Sequence, residues 1–363
     1  MPSNHFKMRV VEGTPKHLSR RGQLEGFTYL MINFEFICNY ACLKCFNRGN
    51  KNFMVSSKPF LELEERMELI HQAKDMGGKV AVFAGAGEPT IHPDIRTLVS
   101  LSKSLDMIPI VYSNGSAIND DWCKFYKDNG AVLVFSFDSL DPRSYAIQAG
   151  WKNPNSIQTR LKHGLVLKNI DDAIEAYQGI RHEEEGLDVL SVAVNTTVSD
   201  INAHEVQAIK DRFGKGAYFI CNPLAVIGNA ARHPNLKVLM PSGEDPKIKY
   251  AQLIKETSES GGPLTLGTDG ICGYSKLGVA VSPNGDYMTC AYTRETNRLL
   301  SNIREISLKK AFEYKQYMEG VHYLKHGVSP CLVRSISFQE YLGSLTSQQG
   351  IFCCYGRGIG YKH

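Results

Sequence analysis

Apolar residues along the chain fall into two alternating patterns. Short, nearly unbroken apolar runs occupy 29–36, 79–84, 107–113, 131–137, 189–196 and 217–221. Runs such as VLVFSF, residues 132–137, suit strands covered on both faces. Between them lie segments with helical spacing. LELEERMELIHQAKDMGG (61–78) and DDWCKFYKDNG (120–130) both close on glycine, and 156–176 has the same period. Six such alternations predict a parallel α/β sheet with right-handed crossovers. Six strands fall short of an eightfold barrel. A partial (β/α)6 TIM-like barrel fits, and so does an open doubly wound sheet. In either, reactive groups belong at the carboxyl ends of the strands.

The pattern changes after Asn229. Residues 230–263 are polar, with prolines at 234, 241, 246 and 263. LGVAVSPNGDYMTCAY (277–292) then predicts a hairpin turning at Pro283-Asn284-Gly285. Helices are expected near 307–319 and 335–344, and the tail GIFCCYGRGIGYKH is irregular. This divides the chain into an N-terminal extension (1–28), an α/β domain (29–235) and a small α+β domain (236–363).

Composition narrows the class. The chain has 363 residues, 43% hydrophobic and 21% charged, as a globular protein should. The excess of 41 Lys and Arg over 37 Asp and Glu is too mild to argue for nucleic acid or an anionic membrane. No apolar run is long enough to span a bilayer, and the N-terminus has no secretory-signal pattern. A cytoplasmic protein is the expectation. Ten cysteines are too few for a disulfide scaffold at this length, and clustered cysteines in a reducing compartment point to metal or catalysis.

Three of them, Cys38, Cys42 and Cys45, form C-x3-C-x2-C directly after the first strand. Three thiolates on one loop can hold three corners of a four-iron cubane, leaving one iron open to a ligand. A structural zinc site wants a fourth ligand nearby, and His71 and His92 are not adjacent. The second strand ends in Phe83-Ala84-Gly85-Ala86-Gly87-Glu88-Pro89-Thr90, where glycines permit close backbone approach and a carboxylate can accept from an ammonium. The plainer reading is a turn with Glu88 in solvent. The third and fourth strands end in Ser113-Asn114-Gly115 and in Ser136-Phe137-Asp138-Ser139, and Asn195 and Thr197 end the fifth. Each of these polar residues is otherwise explained as a helix cap or turn residue.

With these motifs the chain resembles the radical SAM superfamily. The resemblance implies a 4Fe-4S cluster on Cys38, Cys42 and Cys45, whose open iron chelates S-adenosyl-L-methionine. It implies that reductive cleavage yields methionine and a 5′-deoxyadenosyl radical, which abstracts a hydrogen atom from the substrate. Gly85, Gly87, Glu88 and Pro89 match the family turn that holds the methionine amino group. Ser113, Asn114, Ser136, Asp138 and Asn195 match positions that serve the ribose and carboxylate. The family's aromatic before the third cysteine is replaced by Lys44, leaving Phe46 as the candidate against adenine. The family's Arg-Gly after strand four is Ala149-Gly150 here, with Arg143 and Arg160 as possible substitutes.

Cys272 and Cys290 stand in C-x12-G-x4-C, which resembles the opening of a SPASM or twitch domain. Cys331 lacks the second cysteine of a C-x2-C pair, and Cys353 and Cys354 follow. The set supplies ligands for one auxiliary 4Fe-4S cluster, Cys272, Cys290, Cys331 and one of Cys353 and Cys354. Buried free thiols and a four-thiolate zinc site are the alternatives. Cys221 ends the sixth strand and is expected near the barrel mouth, as a hydrogen-atom donor or as a packed thiol.

The reaction expected is oxidation or epimerisation of a small molecule of aminocyclitol or amino-sugar type in natural-product biosynthesis, with the auxiliary cluster as electron acceptor and a flavodoxin- or ferredoxin-type reductant. A ribosomal-peptide maturase and a non-catalytic iron–sulfur or zinc module are the alternatives. A molybdenum-cofactor-type cyclase is disfavoured, because the chain ends Gly360-Tyr361-Lys362-His363 and not in Gly-Gly.

Overall fold

The computed structural model describes residues 27–45, 58–85, 87–178, 191–224, 228–230, 232–244, 249–257, 278–288 and 301–326. Six strands form where the apolar runs lie: β1 (Tyr29–Phe34), β2 (Val80–Gly85), β3 (Ile108–Ser113), β4 (Val132–Ser136), β5 (Val192–Val198) and β6 (Tyr218–Pro223). The crossover helices are α1 (Leu63–Asp75), α2 (Ile95–Ser104), α3 (Asp120–Asp128), α4 (Pro142–Gln148), α5 (Ile157–Ala176) and α6 (Val206–Phe213). Helices α7 (His233–Leu239) and α8 (Ala251–Thr257) follow β6.

Helix starts follow local chemistry. A capping box joins Glu62 and Glu65 at α1, and Asn119 Oδ1 accepts from Trp122 N–H (3.0 Å) at α3. Ser156 Oγ accepts from Thr159 N–H (3.1 Å) at α5.

All pairings from β1 to β6 are parallel and run in chain order, β6-β5-β4-β3-β2-β1. A doubly wound sheet reverses its order at a switch point. This sheet does not reverse before β1, so the fold is an open α/β sheet of partial-barrel type. Leu30, Ile32, Phe83, Val111, Leu133, Val194 and Phe219 pack in the large core with the helices. Tyr29, Val80, Val82, Ile110, Val132, Val134, Ala193, Tyr218 and Ile220 form a second cluster on the other face. Burial on both faces is why the strands read as apolar runs and not as alternation.

The expected hairpin is β7 (Gly278–Val281) and β8 (Tyr287–Met288). It extends the main sheet, with β7 parallel to β1 in the register Tyr29↔Gly278. A Cβ at Gly278 would stand 2.2 Å from Tyr29 O, so only glycine permits that pairing. Asn33 Nδ2 donates to Val281 O (3.0 Å) across the same junction. The sequence pattern gave the hairpin but not its partner. Helix α9 (Leu308–His326) covers the expected 307–319, and the segment 335–344 lies outside the described residues.

Candidate active site

The cysteine loop leaves β1 at Phe34 and is tied down on two sides. Ala41 N–H donates to Ala149 O (3.1 Å) and Leu43 N–H to Gln148 O (2.8 Å), at the end of α4. Asn229 N–H donates to Cys45 O (2.8 Å), and its Nδ2 to Cys42 O (2.8 Å). Gly150 has φ +71°, and a Cβ there would lie 2.2 Å from Ala41 O. The glycine is therefore required by the close seating of the loop, whatever its neighbour.

Cys38, Cys42 and Cys45 stand partly exposed on this loop, and none of them is in a disulfide. Tyr40 N–H donates to Cys38 Sγ (3.4 Å). Burial, reinforced by Cys45, raises the Cys42 pKa far above the ordinary thiol range. A cation is what makes such a thiol ionise. Among the described residues no three His, Cys, Asp or Glu side chains converge on a single metal ion. A cubane does not ask that of them, because each thiolate takes a different iron. Three thiols on a braced loop at the carboxyl end of a parallel sheet fit a four-iron cluster.

The turn after β2 is docked on that loop. Glu88 N–H donates to Ile37 O (2.8 Å), and a Cβ at Gly87 would meet Glu35 O at 2.1 Å. Gly85 has φ +121° against Asn33. Both glycines thus serve approach between protein backbones. Pro89 opens a short 3-10 turn, Pro89–Ile91. Glu88 is buried, not solvated. Its Oε1 accepts from Thr90 N–H (3.1 Å) and Thr90 Oγ1 (2.6 Å), and its Oε2 from Asn114 N–H (2.7 Å). Burial raises its pKa against the pull of those donors.

Ser113 Oγ accepts from Gly115 N–H (3.0 Å). Asn114 Nδ2 donates to Asn39 Oδ1 (2.8 Å) inside the cysteine loop, and Asn39 Nδ2 donates to Ser116 Oγ (2.7 Å). The end of β3 therefore holds the loop as well as the Glu88 turn. Asn39 was not singled out by sequence, because a polar residue between cysteines carries no spacing signal.

Lys44 crosses the mouth of the sheet. Its Nζ is paired with the Asp138 carboxylate and donates to Thr197 Oγ1 (3.0 Å). Thr197 N–H donates to Asp138 Oδ1 (2.9 Å). Ser136 shares a strand face with Val132 and Val134, in register with Asn195. Asn195 Oδ1 accepts from Asn222 Nδ2 (2.8 Å), and Asn222 Oδ1 is buried without a partner among the described residues. Ser136, Asn195, Thr197 and Asn222 keep the parity of Val132 and Val134, Ala193, and Tyr218 and Ile220 on β4, β5 and β6, so together they line the inner face at the carboxyl ends.

A buried cluster behind the loop was not legible from motifs. Glu35 pairs with Arg66 and with His92 Nε2 (2.6 Å), and Arg66 Nη1 reaches Asp94 Oδ2 (2.6 Å). His92 stacks on Phe34 at 4.4 Å between ring centroids. Burial works to raise the Glu35 pKa, but the His92 hydrogen bond and the Arg66 charge outweigh it and leave it lowered. The available signal was Arg66 itself, a charge on the stripe of Leu69, Ile70 and Ala73.

Cys221 does not stand at the mouth. It shares the helix-side core with Phe219, fully buried, with Sγ 3.2 Å from Thr257 Oγ1. Its parity is opposite to Asn222, which is the residue of β6 on the inner face. Arg143 and Arg160 are exposed on α4 and α5. Phe46, Cys272, Cys290, Cys331, Cys353 and Cys354 lie outside the described residues.

Residues 32–211 match the model of the radical SAM superfamily. The chain carries a radical SAM domain. Its fold is similar to that of SuiB from Streptococcus suis, at TM-score 0.52 and 16% identity, over 82% of this chain and 68% of SuiB. In the structure of SuiB bound to precursor peptide SuiA the TM-score is 0.50 at 16% identity, over 76% of this chain and 62% of SuiB, less than two thirds of that relative's length. It is also similar to anSMEcpe with bound AdoMet, at TM-score 0.53 and 16% identity, over 80% of this chain and 82% of that one. The similarity is one of fold. The radical SAM domain thus contains the cysteine loop, the Glu88 turn and the Asp138 and Asn195 strand ends.

Proposed function

We propose that this protein is a radical SAM enzyme that abstracts a hydrogen atom from a small polar substrate and oxidises or epimerises it. The observation that carries the first half is the seating of Cys38, Cys42 and Cys45 beside the Gly87-Glu88 turn at the carboxyl end of the sheet. When bound, the 4Fe-4S cluster and S-adenosylmethionine supply one electron and a 5′-deoxyadenosyl radical. The chain's own residues orient and enclose. Gln148, Ala149 and Asn229 fix the loop, and Glu88 and Asn114 fix the turn beside it. Gly85, Gly87, Glu88, Pro89, Ser113, Asn114, Ser136, Asp138 and Asn195 are the proposed cofactor-facing set, with Phe46 against adenine.

The inner face at the mouth supports a polar substrate. Hydroxyls of Ser136 and Thr197, amides of Asn195 and Asn222, and the Lys44–Asp138 pair offer donors and acceptors suited to an aminocyclitol or amino sugar. A peptide substrate is the second reading, favoured by two similarly folded structures, SuiB bound to precursor peptide SuiA and anSMEcpe with bound Cp18Cys peptide. We further propose that 236–363 binds one auxiliary 4Fe-4S cluster through Cys272, Cys290, Cys331 and either Cys353 or Cys354, as the electron acceptor.

Iron, sulfide and 5′-deoxyadenosine measured after anaerobic reconstitution test this. About eight irons are expected in the wild type and about four in the Cys38/Cys42/Cys45→Ala variant. The variant should form no 5′-deoxyadenosine. Four irons falling to none would remove the auxiliary cluster. Absence of S-adenosylmethionine cleavage in the wild type would leave an iron–sulfur module without catalysis. Transfer of deuterium from labelled amino sugars, but not from peptides, into 5′-deoxyadenosine would select the first substrate class.

A further inference from the structure

Helix α5 seats Val166, Ile170 and Ala173 in the core, and it also exposes a row of aliphatic side chains. Its buried face includes Thr159, His163 and Asn169, each satisfied by a backbone carbonyl, at Asn153 O (2.6 Å), Ser139 O (3.0 Å) and Gly115 O (2.8 Å). Its solvent face carries Ile157, Leu161 and Leu165, which are 73%, 69% and 49% exposed. Their spacing of four residues sets them in one stripe along the helix. Scattered exposed aliphatics need no explanation, but three aligned in one solvent-facing stripe do.

The stripe is rimmed by positive charge. Between 142 and 170 the chain has five Lys or Arg and no Asp or Glu, although the whole chain is nearly balanced. Lys152, Arg160 and Lys162 are exposed beside the stripe, and among the described residues none of the three has a salt-bridge partner. The patch also adjoins the cysteine loop. Lys162 Nζ lies 5.8 Å from the centre of the Trp151 ring, and Trp151 meets Tyr40 edge-on at 5.3 Å. Tyr40 is one of the three residues between Cys38 and Cys42, and its N–H reaches Cys38 Sγ.

We propose that this face of α5 docks an acidic one-electron carrier protein, of flavodoxin or ferredoxin type, which reduces the cluster on the cysteine loop. The inference rests on the reading that the loop holds a 4Fe-4S cluster. An apolar centre with a basic rim is the complement of an acidic surface around an exposed redox group. One electron leaves the reduced carrier and enters the cluster, so the carrier is oxidised and the cluster reduced by one electron each.

The test compares wild type with Leu161→Glu/Lys162→Glu and with Leu165→Ser, using reduced flavodoxin and, separately, dithionite. All three positions are solvent-exposed, so thermal melts should coincide. With flavodoxin, 5′-deoxyadenosine formation is expected to fall about tenfold in the double variant and to weaken with salt in the wild type. With dithionite, which needs no docking face, the rates should be equal. Flavodoxin binding to the cluster-free protein, measured by titration calorimetry, should be lost in the double variant. Equal flavodoxin-driven rates and binding would overturn the proposal. So would a wild-type dimer that the double variant dissolves, which would assign the face to a second copy. Failure of dithionite-driven cleavage in the wild type, with flavodoxin binding retained, would instead strike the radical SAM reading.

Discussion

Lys44 and Asp138 join the cysteine loop to the end of β4, across the mouth of the sheet. Their side chains are 15% and 8% exposed, so the pair is largely withdrawn from water. A buried pair gains little over an apolar replacement, yet breaking one side of it is costly. Lys44→Met leaves Asp138 with Thr197 N–H and no cation. We expect a loss of about 2 kcal/mol in urea unfolding of the iron-free protein, discounted for partial exposure. Asp138→Asn should cost less, because the amide oxygen still accepts from Thr197 and the Lys44 ammonium can reach water. Equal stability of Lys44→Met and wild type would mean that the pair is incidental. Where S-adenosylmethionine binding is measured, Lys44→Phe should shift affinity without loss of iron, because Lys44 occupies the family's aromatic position.

Glu88 holds two strand ends with one carboxylate. Three donors converge on it, and it is 4% exposed. Glu88→Gln turns an amide N–H toward at least one of those donors. A buried unmatched donor costs about 1–3 kcal/mol. The expected signature is a lower melting temperature together with faster hydrogen exchange at Asn114 and Thr90. Unchanged protection at both amides would show that the carboxylate does not carry the junction.

Much of this arrangement was legible in the sequence, and the residues that were not share a cause. The strands were visible because both faces are buried, and the cysteine loop because its spacing is chemical. The Gly85–Pro89 turn was visible as a motif, but its glycines turned out to serve contact with Asn33, Glu35 and Ile37. Such contacts join residues about fifty positions apart, and no local pattern records them. Arg66 sits on an apolar helical stripe, a local inconsistency that flags a buried partner without naming Glu35. Cys221 shows the reverse error. Its place at a strand end suggested the mouth, but strand parity put Asn222 there, and parity turns on a single residue.

Gly150 offers a controlled measurement of how tightly the loop is seated. Gly150 and Gly243 have nearly equal φ, +71° and +74°. A Cβ at Gly150 meets Ala41 O at 2.2 Å, and one at Gly243 meets nothing within 4 Å. Gly243→Ala should therefore cost only the left-handed penalty, about 1 kcal/mol. Gly150→Ala must in addition move the backbone between Cys38 and Cys42. We expect at least about 2 kcal/mol more, with iron retention on the loop reduced in Gly150→Ala alone. Matching losses in the two variants would place the loop away from Gly150.

The acid limb of stability should report on the cluster behind the loop. Glu35 has its pKa lowered in the folded protein from an ordinary 4.5. Such a group stabilises the fold fully above that ordinary value, and the contribution is lost as pH falls through the lowered one. Asp200 behaves alike. Burial works to raise its pKa, but hydrogen bonds from Tyr250, Ser242 and Lys249 hold it at about 2. Glu35→Gln should flatten the fall in unfolding free energy below about pH 4.5, and Asp200→Asn should flatten it between about pH 3.8 and 2. They should differ at neutral pH in what else they change. Glu35→Gln leaves Arg66 with Asp94 alone, against the root of the cysteine loop, at a cost of about 3 kcal/mol. Asp200 holds the Tyr250 and Ser242 segment through its own carboxylate, which accepts from Tyr250 Oη (2.5 Å) and Ser242 N–H (3.0 Å) and does not hold the Glu35 and Arg66 cluster. Iron content after reconstitution should therefore drop in Glu35→Gln and stay at the wild-type level in Asp200→Asn. Retained iron and an unaltered acid limb in Glu35→Gln would show that the Glu35–Arg66–His92 cluster packs the core without bracing the loop.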